Sequence, residues 1–107
     1  MKDDSVFVAH IMESINYIEK FSRDISKEEF SRNRLVRNAI VRELEIIGEA
    51  SKNLSDDFKI KHKNIEWKPI VGFRDKLIHN YFGLDIERVW NVIEKDLSIF
   101  KKQLENL

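Results

Sequence analysis

The stretch Trp67–Asp85, WKPIVGFRDKLIHNYFGLD, places Arg74, Asp75, His79, Asn80 and Tyr81 in close succession. Histidine is the side chain whose ordinary titration lies near neutrality, so His79 is the candidate proton carrier. Arg74 can clamp a phosphate through two parallel hydrogen bonds. Together they suit RNA cleavage by the RNA's own 2′-hydroxyl. A base takes the hydroxyl proton, the guanidinium stabilises charge on the phosphorane, and an acid protonates the leaving oxygen. One histidine does not readily serve as base and acid in the same step. A two-fold dimer would bring two arginines and two histidines to one cleft.

The helix that must carry these groups sets a conflict. On a wheel of about 100° per residue, Trp67, Ile70, Val71, Phe73, Leu77, Ile78 and Tyr81 fill roughly half the circumference. Arg74 falls near the middle of that apolar arc. A guanidinium does not lose its proton there, and burying it unpaired is costly. It must therefore meet a carboxylate, an anionic ligand or a polar interface, with Glu49 or Glu45 as candidate partners one helix away. Arg74 and His79 point about 140° apart on an ideal helix. They converge only if the helix loosens near His79 or if they meet across a dimer. The arc is wide enough to serve both its own bundle and a second copy through the face around Arg74, Ile78 and Phe82.

The remaining elements read as helices. Asp4 or Ser5 can cap a first helix ending near Ser22–Asp24, with Phe7, Val8, Ile11, Ile15, Ile18 and Phe21 as its stripe. His10 lies at the edge of that stripe and reads as an interhelical hydrogen bonder. Ser26–Glu29 is a capping-box pattern opening residues 27–54, with a break expected near Ser31–Asn33. There Leu35, Val36, Ala39, Ile40, Ile47, Ala50 and Leu54 form the stripe, and Arg32, Arg34, Arg37 and Arg42 a mostly solvated face from which an arginine could touch phosphate. A short helical turn is expected from Asp57 to Ile60, then a basic loop in which His62 reads as solvated, with a contribution to RNA phosphate binding as the lesser alternative. Pro69 suits a first helical turn and Gly83 a helix stop. Asp85 can cap a last helix carrying Ile86, Val89, Trp90, Ile93, Leu97, Phe100 and Leu104. The expectation is one all-α domain over residues 1–107, an antiparallel helical bundle that forms a homodimer.

Bulk properties narrow the classes. With 42% hydrophobic and 36% charged residues the chain is globular rather than disordered. Three Gly and one Pro leave few breakers, which favours long helices. The absence of Cys excludes disulfides and thiolate metal sites, and fits a cytoplasmic location. The three His are scattered, so no metal or other cofactor is expected. No apolar run spans a bilayer. A formal net charge of +0 implies that any RNA contact is local rather than a broad basic face.

Residues 72–81, GFRDKLIHNY, resemble the R-x4-H-x-Y signature of the HepT-like toxins, a branch of the HEPN domain family. LEIIGEASKNLS at 44–55, IEWKPIVGFR at 65–74 and LDIERVW at 84–90 extend the similarity over most of the chain, with the first helix matching least. The resemblance implies a dimeric all-α bundle with the Arg and His of both subunits lining a cleft. It implies a metal-independent ribonuclease toxin of a toxin–antitoxin pair, with Arg74 and His79 catalytic and Asp75, Asn80 and Glu49 in support. It implies a minimal nucleotidyltransferase antitoxin of the MntA type that transfers AMP from ATP to Tyr81. Added bulk and negative charge beside Arg74 would compete with an RNA phosphate. Two other readings stand beside this one. In the first, a catalytically silent HEPN subunit is the substrate or scaffold of a nucleotidyltransferase. In the second, a structural helix bundle holds Arg74 in a salt bridge.

Overall fold

The computed structural model describes residues 3–79 and 85–107, apart from the side chains of Ile78 and His79. These residues form seven α-helices and no strand: α1 (Asp4–Ser22), α2 (Lys27–Arg32), α3 (Arg34–Lys52), α4 (Asp56–Lys61), α5 (Trp67–His79), α6 (Ile86–Asn91) and α7 (Leu97–Glu105). A π-helical segment, Val92–Asp96, joins α6 to α7 with right-handed helical geometry at both junctions, so residues 86–105 make one continuous rod. The expected all-α architecture holds. The start of Gly83's region and the residues around Phe82 lie outside the described residues.

Short polar side chains set the helix starts. Ser26 Oγ accepts from Glu29 N at 3.1 Å, and Ser55 Oγ accepts from Phe58 N at 3.1 Å. Asp85 Oδ1 accepts from Arg88 N at 3.1 Å. Asn33 supplies the expected break: it ends α2, and its side chain accepts from Val36 N to start α3. Each cap satisfies a backbone donor that the helix itself leaves unpaired. The first cap is Asp3, not Asp4 or Ser5: Asp3 Oδ1 accepts from Ser5 N at 3.2 Å. Asp4 is used elsewhere. Its carboxylate accepts from Ser55 N at 2.8 Å and from Ser55 Oγ at 2.7 Å, which ties α1 to the start of α4.

The core lies where α1, α3 and the C-terminal rod meet. Ile11, Ile15 and Ile18 of α1, Phe30 of α2 and Ile40 of α3 are fully enclosed, with Leu44, Ile47, Leu97, Phe100 and Leu104 packed around them. A fully buried side chain of this size contributes about 1.5–3 kcal/mol, so this apolar seam is what holds α3 in place. Leu35 departs from the expected stripe and is 82% exposed. It occupies the first turn of α3, where periodicity gives a direction but no neighbouring element covers it.

Aromatic contacts fix the start of α5. The Trp67 ring meets Phe100 edge-on at 5.9 Å and Phe58 at 6.0 Å, and its Nε1 donates to the His62 carbonyl at 3.2 Å. The indole is thus buried with its one donor satisfied. His62 is half-buried against Phe58, with ring centroids 4.6 Å apart, rather than solvated. The α4–α5 loop folds back over its own aromatic, which a count of neighbouring lysines does not reveal. Lys101 Nζ donates to Glu19 Oε1 at 2.7 Å and pins α7 to α1.

Candidate active site

Arg74 sits two turns beyond the Trp67 anchor, on the face of α5 that crosses α3. The crossing is close because position 48 is glycine. A Cβ there would fall inside the Arg74 side chain, against its Cβ and Cγ. Gly48 is therefore required by the approach of the two helices, not by backbone conformation: no described glycine has positive φ. Its absence of side chain lets Arg74 lie across α3 and reach the next residue along.

That residue is Glu49. Arg74 Nη2 pairs with Glu49 Oε2 at 3.0 Å, and Nη1 donates to Asp75 Oδ1 at 3.0 Å. The Arg74 side chain is 26% exposed. The conflict between a charge and its apolar arc is thus resolved by two carboxylates, one from α3 and one from α5 itself. Partly exposed pairs of this kind are worth about 0–1 kcal/mol. Their main effect is to fix the plane of the guanidinium rather than to stabilise the fold.

The other two α3 carboxylates also have partners. Glu43 Oε1 accepts from Ser14 Oγ at 3.2 Å, across the α1–α3 seam. Glu45 Oε2 accepts from Arg42 Nη1 at 3.4 Å, one turn back along α3.

Arg74 opens onto a cavity of about 410 Å³, lined by Phe7 and His10 of α1, by Arg42, Glu45, Ile46, Glu49 and Ala50 of α3, by Asn53, and by Arg74. Its size falls within the range of small-molecule sites, about 300–1,000 Å³. His10 is exposed on this wall and makes no hydrogen bond among the described residues, so it is not the interhelical bonder that its stripe position implies. A larger cavity of about 690 Å³ lies between α3, α5 and the C-terminal rod. Its lining is mainly apolar, with Ile70, Phe73, Val92, Leu97 and Phe100, and Arg74 does not reach it.

The structure brings Arg74, Asp75 and Glu49 together. His79 is the last residue of α5, whose α-helical path from Arg74 shows no loosening. Asn80 and Tyr81 lie outside the described residues. Sequence reasoning missed Gly48, Phe7 and the placement of His10 and Arg42. A glycine inside an otherwise strong helix was the available signal for the first. The others depend on how α1 lies against α3, which no local pattern encodes. Among the described residues no group of His, Asp and Glu could hold a metal ion. No described helix is long and apolar enough to cross a membrane.

Comparison with known proteins agrees with this architecture. The family model described as "Ribonuclease HepT-like" matches residues 11–107. "Putative RNase MJ1380" of Methanocaldococcus jannaschii is 42% identical over 104 residues, covering 97% of this chain and 95% of that protein. "Probable ribonuclease HepT" of Thermococcus cleftensis is 43% identical over 101 residues, 94% of this chain and 92% of the relative. "Putative RNase TTE0752" of Caldanaerobacter subterraneus subsp. tengcongensis is 39% identical over 107 residues, 100% and 96% of the two chains. No solved structure matches. With the matched region taking in α3, α5 and the Arg74–Glu49 crossing, the chain belongs to the ribonuclease HepT-like family of HEPN-type proteins.

Proposed function

We propose that this ribonuclease of the HEPN type is a metal-independent endoribonuclease whose Arg74 holds the scissile phosphate. The observation that carries the reading is the guanidinium's position: fixed by Glu49 and Asp75, partly exposed, and open to a cavity. A fork held in this way can meet a phosphate without reorganising as charge develops.

In the reaction, the 2′-oxygen attacks phosphorus and the bond to the 5′-oxygen breaks. His79 accepts the 2′-hydroxyl proton, and a second imidazole gives a proton to the 5′-oxygen. The products are a 2′,3′-cyclic phosphate and a 5′-hydroxyl. Along a regular helix positions 74 and 79 diverge by about 140°, so one subunit does not present both to one point. His79 of the partner subunit supplies the complement in a homodimer, with the face around Arg74, Ile78 and Phe82 as the contact. Asp75 and Glu49 position Arg74, and Asn80 supports His79.

The biological setting that fits is a toxin–antitoxin pair in the cytoplasm. A nucleotidyltransferase partner silences the enzyme by transferring AMP to the Tyr81 phenol. The phenol oxygen attacks the α-phosphorus of ATP, pyrophosphate leaves, and the partner removes the phenolic proton. A second reading, a silent HEPN subunit that binds rather than cuts, is favoured by one fact: two carboxylates already neutralise Arg74.

Cleavage of RNA by the purified protein separates the two. The nuclease reading expects cutting that survives EDTA, ends carrying 2′,3′-cyclic phosphate, and loss of cutting in a folded His79→Ala dimer. Mixing His79→Ala with Arg74→Ala subunits should give heterodimers that stay nearly inactive, because a shared cleft then keeps one imidazole where the reaction needs two. Wild-type cutting by His79→Ala would sink the mechanism. Co-expression with a nucleotidyltransferase should give an AMP adduct on Tyr81 by mass spectrometry; adducts found only elsewhere would refute that assignment.

A further inference from the structure

The cavity beside Arg74 has a second wall that the reaction above does not use. Arg42 stands on α3 six residues before Gly48, about 9 Å along the helix axis from the point where Arg74 crosses. Its side chain is 70% exposed and its one ion pair, to Glu45, is long at 3.4 Å. His10 faces the same space from α1, and Phe7 adds a half-buried ring. Two guanidiniums at separated positions, an imidazole without a hydrogen-bond partner among the described residues, and an aromatic ring thus line one hollow of about 410 Å³.

The geometry points to a nucleotide subsite: Arg42 and His10 hold the RNA phosphate next to the one that Arg74 clamps, and Phe7 lies against the intervening nucleoside. This rests on the reading of Arg74 as the scissile-phosphate clamp. Arg42 is free to leave Glu45, because a solvent-exposed pair is held weakly while a charge-assisted bond to phosphate is stronger. An imidazole presents an N–H donor to phosphate in either protonation state. The ring of Phe7 offers a base or sugar an apolar surface without reading sequence. Glu45 and Glu49 keep the empty cavity close to neutral. This local arrangement lets a chain of zero net charge engage RNA without a broad basic face.

The test compares wild type, Arg42→Ala, His10→Ala and the remote exposed control Arg34→Ala. One probe is a short single-stranded RNA of mixed sequence; the other is its uncleavable 2′-O-methyl counterpart. Arg42→Ala should weaken binding of the 2′-O-methyl strand about three- to tenfold and reduce the salt slope by about 0.7. KM for the cleavable strand should rise in step, with kcat nearly unchanged. His10→Ala should do the same to a smaller degree, and Arg34→Ala should match wild type. Wild-type affinity in both Arg42→Ala and His10→Ala overturns the subsite. So does a fall in kcat at constant KM in His10→Ala, which would make His10 a proton carrier instead. A wild-type protein that binds the uncleavable strand through Arg42 but cuts nothing supports the subsite and refutes the nuclease reading. One that neither binds nor cuts refutes both.

Discussion

Helix α3 packs against two neighbours in opposite styles. Toward α1 it joins Ile40 to Ile11, Ile15 and Ile18 in one buried apolar cluster, and among the described residues the side-chain hydrogen bond across that seam is Ser14 to Glu43. Toward α5 it presents a glycine and a carboxylate to an arginine. The first contact is bulky and apolar and supplies stability; the second is close and charged and supplies a fixed guanidinium. Because one rigid helix carries both, stability from the seam becomes positional accuracy at the crossing.

The two contacts should therefore fail in different ways. The largest expected loss of stability comes from the seam. Ile15→Ala should cost about 2–5 kcal/mol, read from the shift in urea midpoint. The fraction that remains folded should keep its full RNA-cleaving activity. A stability-neutral Ile15→Ala would mean that the seam is not the scaffold.

At the crossing, the two helical glycines make a matched pair. An added Cβ at 48 meets the near end of the Arg74 side chain, whereas one at 72 meets nothing within 4 Å among the described residues. Removing a helical glycine gains up to about 1 kcal/mol in propensity, and forcing a methyl into a filled contact costs about 1–3 kcal/mol. Gly48→Ala should thus lose about 0–3 kcal/mol and lose most RNA cleavage, since Arg74 is displaced. Gly72→Ala should gain up to about 1 kcal/mol and keep its activity. Equal behaviour of the two variants, in thermal melts and cleavage assays, would break the distinction.

The smallest effect is expected at the α1–α4 tie. The Ser55 backbone N–H, and then the Ser55 hydroxyl, hold the Asp4 carboxyl below its ordinary range. Folding therefore favours the charged form. The associated stability is fully present above the unfolded value of about 3.9 and is lost as pH falls through the lower folded value. Asp4→Asn should be slightly less stable than wild type at neutral pH, and the gap should close in acid. A gap that widens in acid would contradict this tie.

Much of this was legible in the sequence. Ser26 and Asp85 announced their helices because a short side-chain acceptor before an apolar periodic run has few other uses. Arg74 announced its need for a carboxylate because a charge in an apolar arc cannot stay unpaired, and Glu49 meets that need. Cases decided by what lies opposite were not legible. Leu35 continues a stripe with nothing to cover it. His10 reads as an edge residue until α1 is laid against α3. The π-helical segment leaves no mark, because Ile93 and Leu97 keep an ordinary four-residue spacing across it.

The measurement closest to the central claim is RNA cleavage by Arg74→Lys in the presence of EDTA, with folding checked by circular dichroism. Lysine keeps the charge but not the planar fork that Glu49 and Asp75 hold in place. If that fork clamps the scissile phosphate, cleavage should fall at least about a hundredfold while the helical spectrum stays unchanged. Cleavage by a folded Arg74→Lys protein at the wild-type rate would contradict the account and leave Arg74 as a structural charge.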